Sequence, residues 1–205
     1  MGWGGGRGGG GAGGRGPAPP AAGSVELREA GAALDFGGVA KGWALDRVCE
    51  SFRAAGVTRA LLSFGESSIA AIGAAPGRDG WGIALAGPAG GVAGSLELRD
   101  ESLSVSGSLG QFVEIGGHRY GHVIDPRTGR PLERALVAAA LAANGARAEA
   151  LSKALLILGE REGIALVESL PGAQGILLDA AGAQFETAGW RAATHFSRDA
   201  DEPAP

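Results

Sequence analysis

The chain of 205 residues has one cysteine, Cys49, and three histidines, His118, His122 and His195. A single cysteine excludes an internal disulfide and any cysteine-rich metal site. So few histidines argue against a three-histidine zinc centre. The chain also lacks a basic excess: its formal net charge is −4, which argues against a protein whose main business is to coat nucleic acid. No apolar run reaches membrane-spanning length. No secretory apolar segment stands behind Met1, and no lipid-attachment cysteine lies near it. On those grounds the sequence as written is expected in the cytoplasm. What the chain does have is 45% hydrophobic residues, enough for one domain with a packed core, and 39 glycines, which imply many turns and close backbone approaches.

Residues 1–22 are rich in glycine and then proline, and are expected to form a disordered leader. Arg7 and Arg15 give it a faint likeness to RGG-type RNA-binding tails, but two arginines are few, and no nucleic-acid partner is expected. A domain is expected over 23–192 and a loose polar tail over 193–205. Alternation of apolar and polar residues marks strands at 24–29 and 32–36. In 37–56, Leu45, Val48, Cys49 and Phe52 fall at helical spacing, with Gly56 suited to the C-terminal cap. Short strands are expected around 58–63, 68–73, 81–86, 95–99, 103–106 and 111–115. Residues 135–142 are a continuous run of small apolar side chains and read as a buried strand. A helix over 146–158 puts Leu151, Leu155 and Leu158 on one face; Gly159 ends it, and another covers 161–170. Segments 175–179 and 184–187 read as a closing hairpin. Strands outnumber helices and short turns join them, so the class is α+β, with mostly antiparallel sheets packed with helices.

Four polar stretches are rich enough to carry chemistry. Residues 117–133, GHRYGHVIDPRTGRPLE, gather His122, Asp125 and Arg127 on a stretch with turn signals at Asp125-Pro126 and Thr128-Gly129. His122 there suits a proton carrier, a hydrogen-bond donor to a ring, a metal ligand or, equally, a satisfied structural histidine. Residues 35–42, DFGGVAKG, run from a strand end through two glycines into a helix. Such a start lets backbone N–H groups approach a phosphate, and Lys41 adds a cation one turn in. The same residues suit a plain strand-to-helix turn with an exposed lysine, and they match neither a Walker A loop nor GxGxxG. Residues 63–69, SFGESSI, link two strands; Gly65 accepts positive φ, and Ser67 and Ser68 donate hydrogen bonds to a ligand or within a hairpin turn. Residues 149–153, EALSK, put Glu149, Ser152 and Lys153 on one helix face. Their plainest role is an exposed Glu–Lys pair contributing about 0.3 kcal/mol.

Taken together and in this order, the four stretches resemble the FAD:protein FMN transferase family, the ApbE-type flavin transferases. Members carry D-[LF]-G-G-[IV]-A-K-G, an N/S-[LF]-G-G turn, H-[IV]-[IL]-D-P-x-T-G, and a D-A-L-[SA]-T helix ending in V/I-L-G. Here these stand at 35–42, 63–69, 122–129 and 149–159, and the resemblance spans about 34–190. It implies an ApbE-like, T-fold-like domain that binds FAD with its pyrophosphate next to Mg²⁺. It further implies transfer of the FMN half to a threonine or serine hydroxyl of an acceptor flavoprotein, a membrane redox-complex subunit, with release of AMP. By residue-to-residue match, the resemblance assigns Asp35, Lys41, Ser63, Gly65, His122, Val123 and Asp125 to FAD. It places the Gly38 carbonyl, Glu149, Ser152 and Lys153 at metal positions, and gives His122 the task of orienting or deprotonating the acceptor hydroxyl.

The chain also departs from the family pattern. Lys153 stands where a threonine is expected, and an ammonium has no lone pair for a metal and repels Mg²⁺. Either the metal is lost and Lys153 itself neutralises the pyrophosphate, or transfer is lost, leaving an impaired FAD-binding paralogue or a fragment. Glu149 replaces an aspartate by a longer carboxylate, and Glu66 replaces the second glycine of the turn. Family members carry a longer segment ahead of the first motif, with a secretion signal and part of the flavin pocket; a glycine-rich leader stands there in this chain. If upstream sequence is missing, the expected location becomes the extracytoplasmic face of a membrane.

Overall fold

The computed structural model describes residues 23–27 and 31–198. The expected disordered leader and the end of the expected tail lie outside the described residues. The chain divides into two units, Met1–Asp35 and Phe36–Pro205. In the first, residues 23–27 and 31–35 form no strand, against the strands expected at 24–29 and 32–36. Alternation supplies an apolar face, but a strand also depends on a ladder partner. Val25, Leu27 and Leu34 accordingly stay exposed.

The second unit begins with helix α1 (Ala40–Ala54), followed by β1 (Ala60–Phe64), β2 (Ser68–Ile72), β3 (Trp81–Ala86), β4 (Val92–Leu98) and β5 (Ser102–Gly107). Two short hairpins follow, β6 (Phe112–Ile115) with β7 (His118–Gly121), and β8 (Ile124–Asp125) with β9 (Arg130–Pro131). Then come β10 (Leu136–Ala142), α2 (Gly145–Glu168), β11 (Gln174–Asp179), β12 (Gln184–Glu186) and α3 (Trp190–Thr194). Among the described residues, six strands form one sheet in the order β1-β2-β5-β10-β11-β12, antiparallel at each pairing. The α+β class expected from the strand-rich pattern is the class found.

Strand β10 is buried at every position because both faces of the sheet are covered, which is why its sequence is apolar throughout rather than alternating. Val137, Ala139 and Leu141 enter a core with Leu85 of β3, Leu96 and Leu98 of β4, and Trp190 of α3. Leu136, Ala138, Ala140 and Ala142 meet Ala148, Leu151 and Leu155 of α2. Full burial of a leucine such as Leu155 contributes about 2 kcal/mol. On the α2 side of the sheet, α1 buries Leu45 and Cys49, one turn apart, against Ala70 and Ile72 of β2. Inside α2, Gly159 adopts φ 77°, ψ −166°, a conformation open to glycine alone. The span is therefore two helical segments, as the Gly159 stop implies.

The end of the described chain differs from the loose tail expected over 193–205. Helix α3 closes at His195 in the left-handed region (φ 52°), Phe196 is buried in the core, and Ser197 bridges to Ser95 of β4. The Trp190 and Phe196 ring centroids lie 6.1 Å apart. A single aromatic among polar neighbours anchors the segment through the area it buries. Among the described residues no helix is long and apolar enough to cross a membrane.

Candidate functional site

Two touching backbones position the site. Helices α1 and α2 pass each other at Gly42 and Gly145: a Cβ on Gly42 would lie 2.1 Å from the Gly145 carbonyl oxygen, and one on Gly145 would lie 2.6 Å from that of Gly42. Only glycine fits such an approach. One turn beyond Gly42, Asp46 caps α2, its Oδ1 accepting from the Gly145 N–H at 2.6 Å and its Oδ2 from the Ala146 N–H at 3.1 Å. The Asn144 side chain accepts from the Arg147 N–H at 2.9 Å. Three of the N–H groups that a helix start leaves orphaned are thus satisfied. The same contact sets Glu149 against the beginning of α1.

Glu149 is 1% exposed, and both carboxylate oxygens are engaged. Oε2 accepts the Gly42 N–H at 2.9 Å. Oε1 accepts the Ser68 hydroxyl at 3.1 Å, with the Lys153 Nζ at 3.7 Å and the Lys41 Nζ at 4.0 Å. Lys41 also donates to the Ser67 hydroxyl. The two lysine side chains are 35% and 30% exposed, so each reaches from the buried carboxylate to solvent. Burial holds the Lys153 ammonium below the ordinary lysine value; the Glu149 charge opposes that, and the Lys41 charge adds to it. Gly38 completes the recess: a Cβ there would sit 3.3 Å from Cδ of Lys153, so its bare backbone leaves the lysine stem its path.

Ser152, expected beside Glu149 and Lys153 at a metal position, stands apart from them. It is fully buried, its hydroxyl bonding Ser106 at 2.8 Å and Ser104 at 3.1 Å on β5, and the Glu149 carbonyl at 3.1 Å. Three residues along the helix turn the side chain toward the sheet while Glu149 and Lys153 face α1. Among the described residues, no group of three or more His, Cys, Asp or Glu side chains is placed to hold a metal ion.

The 117–133 stretch is built differently. The Asp125 carboxylate, 12% exposed, accepts the Arg127 N–H at 2.8 Å, its Nη2 at 2.8 Å and its Nε at 3.0 Å. Hydrogen bonds from the Arg127 guanidinium, and then from its backbone N–H, hold the Asp125 carboxyl below the ordinary carboxylate range. Arg127 continues to the Ile157 carbonyl at 3.3 Å and to Glu162 at 3.4 Å, on either side of the Gly159 break. The pair therefore pins the β8–β9 hairpin to α2. His122 is exposed, with Nδ1 3.1 Å from the Gln111 carbonyl oxygen. A carbonyl only accepts, so Nδ1 carries the proton in that bond, and in the neutral ring the lone pair is then on Nε2. Val123 packs against the α2 side of the core.

Of the remaining expected site residues, Ser63 is exposed on β1 opposite Ile69. Gly65 and Glu66 make the following turn with φ 61° and 60°. Asp35 is an exposed residue at the end of the first unit, while the Glu149 recess belongs to the second. The pattern of motifs missed Asp46, Gly145, Ser104 and Ser106. An Asn-Gly pair ahead of an apolar helix signals the α2 cap; no local signal marks the others, whose partners lie far away in sequence.

A model of the ApbE family matches residues 17–177. The chain is 37% identical over 131 residues to the FAD:protein FMN transferase of Rhodobacter capsulatus, covering 63% of this chain and 25% of that one. It is 32% identical over 167 residues to the FAD:protein FMN transferase of Treponema pallidum (strain Nichols), covering 76% and 46%. Among solved structures it is similar to the ApbE protein of Thermotoga maritima MSB8, with a TM-score of 0.70, 26% identity, and coverage of 78% of this chain and 52% of that chain. The apo form of the Pseudomonas stutzeri flavinyl transferase ApbE gives a TM-score of 0.65 and 31% identity, covering 78% and 51%. The chain thus spans about half the length, or less, of these relatives.

Proposed function

The chain belongs to the ApbE family, and from that premise we propose that it transfers the FMN half of FAD to a threonine or serine hydroxyl of an acceptor protein. The match to relatives named FAD:protein FMN transferase carries this reading, and the cationic recess at Glu149 supports it. In the reaction the acceptor oxygen bonds to the FMN-side phosphorus. The bond from that phosphorus to the bridging oxygen breaks, and AMP leaves with the bridging oxygen. The hydroxyl proton passes to Nε2 of His122, the ring nitrogen whose lone pair is left when Nδ1 faces the Gln111 carbonyl. Charge on the transferring phosphoryl group calls for fixed positive groups beside it, and Lys41 and Lys153 supply them. Val123, Ser63 and Gly65 are assigned to the flavin side. Asp125 acts at one remove, by holding Arg127 and with it the hairpin that follows His122. The acceptor that fits the family is a flavoprotein subunit of a membrane redox complex.

The donors in the recess do not fit Mg²⁺. That ion takes six oxygen ligands in near-ideal octahedral geometry. Here one carboxylate is on offer, and its oxygens already serve Gly42, Ser68 and two ammoniums. Lys153 brings no lone pair, and the Ser152 hydroxyl is spent on β5. No step of the reaction is therefore assigned to the metal.

The test mixes purified protein with FAD and a threonine-bearing flavinylation substrate protein. In-gel flavin fluorescence on the acceptor, with an equimolar release of AMP, is the expected result. FAD binding without covalent flavin would instead leave a binding protein, the reading that Lys153 in place of threonine favours. Loss of both binding and transfer, in a protein shown to be folded, overturns the proposal.

A further inference from the structure

The Glu149 recess is a salt cluster with two cations and one anion. Glu149 neutralises one ammonium and leaves the other uncompensated among these three groups. Each ammonium has three donor hydrogens. Among the described residues, Lys41 directs donors at Ser67 and at the carboxylate, and Lys153 points toward the carboxylate. Donors on the solvent side of both lysines are left over. Two like charges held against one oxygen repel each other, and an anion bridging them on the open side relieves that repulsion. The cluster is pre-built for the task. Its carboxylate is buried and fixed from behind by Gly42 and Ser68, and Gly38 gives the Lys153 stem a groove that a Cβ would fill.

We infer that Lys41 and Lys153 together take the place of a divalent cation, binding the diphosphate of the substrate directly. The inference rests on FAD being that substrate, and it deepens the proposed function: diphosphate recognition and charge neutralisation come from side chains of this chain and need no Mg²⁺. Lysine binds phosphate oxygens as a point charge through short charge-assisted hydrogen bonds, with no demand for coordination geometry. Glu149 is then a positioning residue rather than a metal ligand. It holds the two ammoniums beside one oxygen so that both meet the same diphosphate.

The experiment titrates FAD into the full chain, following flavin fluorescence, in EDTA and again in excess MgCl₂. Riboflavin serves as the flavin without phosphate, and Lys153→Met removes the charge while keeping the stem. The wild-type dissociation constant for FAD is expected to differ by less than about threefold between EDTA and MgCl₂, whereas Lys153→Met weakens FAD binding by about tenfold, the scale of one charge-assisted hydrogen bond. Riboflavin binding is expected to be the same in wild type and variant. Tightening of wild-type FAD binding by about threefold or more on adding MgCl₂ overturns the inference, and that arm needs no variant to fold. So does a folded Lys153→Met variant that binds FAD as tightly as wild type. Failure of folded wild-type protein to bind FAD in either buffer defeats the functional reading itself, which separates the two failures.

Discussion

The Glu149 recess and the 117–133 stretch both set polar side chains among glycines and turns, yet they are closed over very different lengths of chain. Glu149 takes its backbone donor, Gly42, from 107 residues away and its hydroxyl donor, Ser68, from 81. Asp125 takes its principal donors from Arg127, two residues on. A cluster closed over two residues forms with its turn, and its one guanidinium is met by carboxylates, Asp125 and then Glu162, with no positive charge in excess. A cluster closed over a hundred exists only once helices and sheet have docked, and here it keeps more positive than negative charge. The first behaves as a brace for the chain, and the second as a seat for an anion. Of the two, the stretch with the denser motif is the brace.

The sharpest way to break this contrast is Glu149→Ala. It strands the Gly42 N–H and the Ser68 hydroxyl and leaves two ammoniums facing each other. Removing one member of a buried ion pair costs about 3 kcal/mol, and a loss of that size is expected in urea unfolding. A variant that unfolds at the parent's midpoint would show that the recess does not depend on its carboxylate.

A matched pair of glycine substitutions sharpens the comparison. Gly42→Ala drives a methyl group into the Gly145 backbone, where the two helices have to part, and is expected to cost about 2 kcal/mol or more. Gly129→Ala, at φ 69° with nothing within 4 Å of the added carbon, strains only its own backbone and is expected to cost about 1 kcal/mol. Equal losses in the two variants would erase the distinction between a site that depends on docking and a turn that does not.

How much of this is legible in the sequence follows the same division. β10 is legible because a strand covered on both faces is apolar at every position, and the break in α2 because Gly159 ends the apolar periodicity. The motifs are legible as polar islands, and their order along the chain carries the family. Their convergence is not. Glu149 and Ser152 look like one helix face at a spacing of three, but the helix docks between that pair, sending Ser152 to Ser104 and Ser106 and leaving Glu149 on the side of α1. The Gly42–Gly145 contact is made by backbones, which leave no side-chain pattern to read. α3 escapes notice because its anchors sit singly, Trp190 among small residues and an arginine and Phe196 among polar ones. The residues at 24–29 and 32–36 err the other way, since alternation announces a face and says nothing about a partner.

The smallest expected effect is one of pH, and it tests the brace. Hydrogen bonds from Arg127 keep the folded Asp125 carboxyl below its unfolded value. A group shifted in that direction contributes stability that is fully present above the unfolded value, about 3.9 for aspartate, and is lost as pH falls through the folded value. Asp125→Asn keeps the shape of the side chain and removes the titration. Thermal unfolding is expected to show the variant less stable than the parent by a constant margin from neutrality down to about pH 5, with the margin shrinking below about pH 4 as the parent carboxylate takes up its proton. At neutral pH the Glu149 recess should keep its affinity for FAD in this variant, because Asp125 has no bond to either lysine among its hydrogen bonds. A margin that keeps its full size to about pH 3 would mean that shape, not charge, locks Arg127 to the turn. No margin at neutral pH would mean that the hairpin stays pinned to α2 without the pair, and the brace would then have to be sought in the Val123 and Leu132 packing against the α2 core.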